Sequence, residues 1–212
     1  MKSNIPYYEQ TSEFTCGPAC VLMVMKHFDP RIKLTRQLEF EIWRHSNMIG
    51  VKGADPFGLA IPLIDTGFEV RLITQRKTVA STNRWKRRLI RAGFTLQEAE
   101  LSIFGIRQNK LRALARNLQV EYKRPRVREI ARALDSGYVP IALVHMGVVH
   151  SLNIPHWVVV TDADERSVVF NDPYPPKGRK GLRLPEVKFQ KILDDIGIKI
   201  GMNPSVLLVR NG

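Results

Sequence analysis

Gln10-Thr11-Ser12-Glu13-Phe14-Thr15-Cys16-Gly17-Pro18-Ala19-Cys20, followed by the apolar run Val21-Leu22-Met23-Val24-Met25, is the stretch that decides how this chain is read. It predicts a buried helix over 16–28. Thr15 is placed to cap the N-terminus, Pro18 falls in the first turn, where a missing N–H costs little, and Asp29-Pro30 ends the helix. A cysteine at a helix N-terminus feels the positive end of the macrodipole and unpaired N–H groups. Both favour the thiolate, which is the nucleophilic form. Gly17 is expected to leave room beside the sulfur for a substrate carbonyl. Cys20 lies one turn deeper among Ala19, Val21, Met23 and Val24, the ordinary setting of a free cysteine as a small core residue.

A cysteine nucleophile needs a base, and the base needs a group that orients it. The chain has five histidines. His27 and His45 fall in helical segments, and His145 and His150 flank a turn that contains Gly147. His156 stands at the mouth of the strand-like run Trp157-Val158-Val159-Val160, where a sheet would hold it while its ring faces a cleft. Asn171-Asp172-Pro173 ends the next β-rich run across an expected hairpin, which can bring Asp172 beside His156. A carboxylate there fixes the imidazole tautomer and stabilises the imidazolium. Attack on a carbonyl also creates an oxyanion, which the Gln10 amide and the Cys16 backbone N–H can receive. A zinc site is disfavoured: Cys16 and Cys20 do not form C-x-x-C, and no histidine pair has finger spacing. No cofactor and no metal are expected.

The 212 residues suit one domain, and 44% hydrophobic content is enough for a core. Two cysteines exclude a disulfide scaffold and point to a reducing compartment. Neither a signal peptide nor a membrane-length apolar run is seen, so a soluble cytoplasmic protein without membrane insertion is expected. The formal charge of +13 is concentrated: Arg71 to Arg132 holds 17 of the 33 basic residues and 4 of the 20 acidic ones. Such a segment is either a solvated surface or a surface for an acidic partner.

The periodicity gives a plan. Helices are expected from Thr35 and over 56–65, with Asp55 as cap, and then a strand over 68–73. Basic helices follow at 84–93, 95–104 and 108–118, with Gly93 and Gly105 as punctuation, then a short strand over 120–122 and a helix over 127–134. Strands are expected at 139–145, 157–161 and 168–170, a helix at 185–194 and a last strand at 205–209. Helices in the first half and a mostly antiparallel sheet in the second make an α+β fold.

Gln10, Cys16-Gly17-Pro18-Ala19-Cys20, His156-Trp157-Val158-Val159-Val160 and Asn171-Asp172-Pro173 together resemble cysteine peptidase family 39, the peptidases that process double-glycine leaders. The stretch from Gly53 to Val70 is also similar to the helix and strand that follow the nucleophile there. The resemblance covers about residues 5–75 and 138–175. It implies a papain-like fold, here expected as a single domain over 1–212 that departs from the family by a basic helical insertion at about 76–120. It implies Cys16 as nucleophile, His156 as base, Asp172 as orienter and Gln10 in the oxyanion hole. Gly17 and Trp157 are the expected substrate contacts. The activity expected is that of a stand-alone cysteine peptidase, without a transporter, acting through a thioester on an acidic peptide or protein. The alternatives are acyl transfer by the same triad, or a silent scaffold that binds nucleic acid through the basic segment.

Overall fold

The computed structural model describes residues 4–50, 52–77, 82–91 and 93–212. Residues 1–3 of the N-terminus, Val51 of the 50–53 loop, residues 78–81 of the expected insertion and Ala92 of the expected 84–93 helix lie outside them.

Three helices come first: α1 (Cys16–Phe28), α2 (Arg36–Ser46) and α3 (Pro56–Asp65). Asp55 caps α3 by accepting from the N–H groups of Phe57 and Gly58, and Thr35 caps α2 by accepting from Leu38 N–H. Thr15 does not cap α1; its hydroxyl donates instead to the Ser12 carbonyl at 3.1 Å, which folds the 11–14 turn onto the helix start.

β1 (Glu69–Thr74) follows, then α4 (Thr82–Arg91), α5 (Leu96–Leu114) and β2 (Gln119–Tyr122). β2 pairs parallel with β1, so α4 and α5 are the crossover that a parallel pair requires. The two helices expected at 95–104 and 108–118 are one. Gly105 does not break α5 because it is buried against Ile49, and packing outweighs a propensity cost of about 1 kcal/mol.

The rest is α6 (Val127–Asp135), β3 (Val139–His145), β4 (Pro155–Ala163), β5 (Ser167–Asp172), β6 (Arg179–Pro185), α7 (Glu186–Asp195), a π-helical turn (Ile196–Ile200) and β7 (Ser205–Arg210). The sheet order is β2-β1-β7-β3-β4-β5-β6, antiparallel except for β1 and β2. The expected hairpin joins β4 and β5.

Strand alternation splits the core into two layers. Ile141, Leu143, Trp157, Val159, Leu207 and Val209 share one cluster with α1 and α3. Their neighbours Ala142, Val144, Val158, Val160, Val206 and Leu208 pack in the other with α6 and α7. Central strands buried on both faces read as continuous apolar runs, as β3 and β4 do. Among the described residues no helix is long and apolar enough to cross a membrane.

Candidate active site

The first turn of α1 meets the start of β4, and this junction places Cys16 beside His156. Cys16 is 8% exposed, and the groups that act on its thiol are the His156 side chain and the backbone N–H groups of Trp157 and Gly17. Burial alone would push the thiol up. The charge and hydrogen bond of His156, with the two N–H groups, outweigh it and bring Cys16 below the ordinary thiol value. Cys20 has no such partner set. Burial, with the charges of Cys16 and Asp172, holds its thiol well above the usual range.

His156 Nε2 lies 2.8 Å from Asp172 Oδ1, which leaves Nδ1 for the sulfur. Both residues are buried. Burial works against the imidazolium, but the Cys16 thiolate and Asp172 outweigh it and raise His156 to about 9. Burial would likewise raise Asp172; the bonds from His156, the Tyr174 N–H and His150 keep it below the ordinary carboxyl value. The arrangement favours a thiolate–imidazolium pair anchored by a carboxylate.

Gln10 is 2% exposed, and its backbone N–H donates to the Pro173 carbonyl at 2.9 Å, next to Asp172. Its side-chain Nε2 donates one hydrogen to the Ser12 carbonyl at 2.7 Å, and the amide's second N–H remains. Gln10 Oε1 is buried without a hydrogen-bond partner.

Gly17 and Trp157 sit against each other. A Cβ at Gly17 would come within 2.7 Å of Leu59 Cδ1 and 3.0 Å of Trp157 Cδ1. A side chain there has no space, so the glycine allows close packing of α1 on α3 and β4. Trp157 is held by a 3.0 Å bond from its indole N–H to the Ala54 carbonyl. Its ring lines a cavity of about 90 Å³ that opens beside Cys16.

Other walls of that cavity come from the crossover: Trp85 of α4, and Ser102, Gly105 and Asn109 of α5. Several basic groups expected on this segment's surface are engaged within the molecule. Arg116 pairs with Asp65 at 2.8 Å, Lys86 with Glu100 at 2.6 Å, and Arg88 donates to the Asn153 carbonyl.

Four supporting residues escaped the sequence reading. His150 Nε2 lies 2.6 Å from Asp172 Oδ2. Tyr174 lies against both imidazoles, at 5.1 Å from the His150 ring and 5.8 Å, edge-on, from the His156 ring. Glu39 is fully buried and accepts from the Tyr8 hydroxyl and from Thr11 N–H and hydroxyl, which pins the segment that carries Gln10. Asn109 donates to Asp55 from α5. His150 had a signal, its place beside a glycine turn six residues before His156; the other three depend on long-range packing that local pattern does not report.

A family model described as the Peptidase_C39 like family matches residues 5–190. A search of curated proteins found no match. Among solved structures, the peptidase domain of Streptococcus ComA, a bi-functional ABC transporter involved in a quorum sensing pathway, aligns with a TM-score of 0.51 at 14% identity. That alignment covers 99% of this chain and 100% of that one. The peptidase domain of Streptococcus mutans ComA aligns at 13% identity over 96% of this chain and 98% of that one, with a TM-score of 0.44. The first of these likenesses gives the fold: the chain is built as that peptidase domain is.

Proposed function

The chain belongs to the Peptidase C39-like family, and on that premise we propose that it is a cysteine peptidase in which Cys16, His156 and Asp172 form the catalytic triad. The observation that carries this reading is the His156 imidazole set between the Cys16 thiol, whose titration it lowers, and Asp172 Oδ1 at 2.8 Å, with all three residues buried.

In this mechanism the Cys16 thiolate attacks the carbonyl carbon of a peptide bond, and a C–S bond forms as the carbonyl π pair moves to oxygen. The second N–H of Gln10 and the backbone N–H of Cys16 receive the oxyanion. His156 gives its proton to the leaving amine as the C–N bond breaks, which leaves a thioester on Cys16. His156, now neutral, takes a proton from water, and the hydroxide completes hydrolysis and returns the thiolate–imidazolium pair. Asp172 holds the imidazole in the orientation both steps need and stabilises its cationic form.

The small cavity beside Cys16 favours a substrate with a small residue next to the scissile bond. The crossover lines its other wall with uncharged residues, and the basic groups that stay exposed on the same segment, Arg91 and Arg107 among them, favour acidic residues further along the same peptide. Incubation of the protein with a mixed acidic peptide library, read by mass spectrometry, tests this. New peptide termini and a thioester adduct on Cys16 are expected. Unchanged cleavage by Cys16→Ala would overturn the mechanism. Products capped by an added amine would instead assign acyl transfer.

A further inference from the structure

We propose that His150 is a positioning residue for the triad carboxylate, holding Asp172 Oδ2 so that Oδ1 stays on His156; this rests on the peptidase reading above. Asp172 ends β5, and its carboxylate is fully buried between two imidazoles. Oδ1 accepts from His156 at 2.8 Å and from Tyr174 N–H at 3.0 Å, and Oδ2 accepts from His150 at 2.6 Å. A carboxylate can turn about its Cβ–Cγ bond, and donors on both oxygens remove that freedom.

His150 is built for this use. Its ring is 4% exposed. Its backbone N–H donates to the Met146 carbonyl at 2.9 Å, and the next residue, Ser151, takes a left-handed conformation that turns the chain away. The Tyr174 ring lies over it at 5.1 Å with the planes tilted by 35°. The lever is therefore fixed at the turn, at the ring face and at Nε2.

The consequence is a pH effect. Other titratable groups around Asp172 come from every neighbouring element: Cys16 and Cys20 on α1, Tyr7 of the N-terminal segment, whose hydroxyl donates to the Asp172 carbonyl, His156 on β4, Tyr174 after β5, and Arg179, which stands opposite Asp172 on β6. All of these stay when His150 is replaced. The loss removes one of the bonds that favour ionised Asp172, so the carboxylate takes up its proton at higher pH and releases His156 sooner on acidification.

The test is the rate of Cys16 alkylation by iodoacetamide from pH 2.5 to 9 in the full chain. Gln places its amide nitrogen where His150 Nε2 sits, whereas Asn places it where Nδ1 sits. His150→Leu and His150→Asn should move the acid limb upward by roughly one pH unit, and His150→Gln should keep it within a few tenths of wild type. A limb that all three variants leave in place, or that all three move alike, overturns the proposal. If His150→Leu does not fold, the contrast between Asn and Gln decides. A wild-type profile without any thiolate reactivity below the ordinary thiol range would instead overturn the peptidase reading itself.

Discussion

Asn109 Nδ2 donates to Asp55 Oδ2 at 2.7 Å, across 54 residues of sequence, and ties the middle of α5 to the cap of α3. The bond makes the basic crossover part of the site: α5 is fastened at the point where Asp55, Ala54 and Trp157 lead to Cys16. Asp55 is 5% exposed, and burial raises it to about 6 although Asn109 and the N–H groups of Gly58 and Phe57 oppose the rise.

Asn109→Ala should therefore destabilise the protein in a pH-dependent way. With a folded value of about 6 against 3.8 unfolded, the stability contributed by protonated Asp55 is full below 3.8 and is lost as pH climbs through about 6. The Asn109 bond favours the ionised form, so its removal raises the folded value further and costs more at pH 7 than at pH 4. A loss of about 2 kcal/mol at pH 7, shrinking towards pH 4, is expected. Urea midpoints at pH 4, 5.5 and 7 measure it.

Two glycines separate by what surrounds them. A methyl at Gly58 would run into the Ser46 backbone carbonyl, which cannot move without shifting the end of α2. A methyl at Gly17 meets the ends of the Leu59 and Trp157 side chains, of which Leu59 can change rotamer. Gly58→Ala should cost more than Gly17→Ala, with the latter about 1–3 kcal/mol. Thermal melts of the two variants, and of Gly17→Ala combined with Leu59→Ala, check the order. Partial recovery in the double variant is expected.

The two cysteines should behave as different chemical groups. If the proposed mechanism holds, Cys16→Ala should reduce hydrolysis at least roughly a thousandfold, because a nucleophile and its base act as a unit. Cys20→Ala should leave turnover near wild type, since Cys20 is fully buried and its thiol stays protonated. At pH 7, iodoacetamide should label Cys16 alone, as peptide mapping would show.

Much of this site was legible because its parts are local. Cys16 at a helix start, His156 at a strand start and Asp172 at a strand end follow from periodicity and from Pro and Gly punctuation, and α1, α3 and β3 lie where those signals put them. What was not legible depends on distance or on weak pattern. β6 carries Arg179, Lys180, Arg183 and Gly181 on an exposed edge, a composition that protects edge strands and conceals them from propensity. Gly105 looks like a helix stop but is buried under Ile49. The placing of α5 over the Cys16 cavity follows from β1 and β2 pairing in parallel, which no local window contains.

In the proposed mechanism the reactive state is the thiolate–imidazolium pair, so activity should need a pH above the lowered titration of Cys16 and below that of His156, raised to about 9. The two limbs belong to the coupled pair rather than to either group alone. On the acid side Cys16 gains its proton, and the limb should fall below the ordinary thiol range. On the alkaline side His156 loses its proton near 9, and no acid remains for the leaving amine. Asp172→Asn separates the contributions. The Asp172 hydrogen bond and charge are among the causes that raise His156 against burial, alongside the Cys16 thiolate. With an uncharged amide in that place the alkaline limb should move down by about one pH unit while Cys16 stays labelled. A profile of kcat/KM against pH for the wild type and Asp172→Asn measures both limbs, and an alkaline limb unmoved by the substitution would remove Asp172 from the triad.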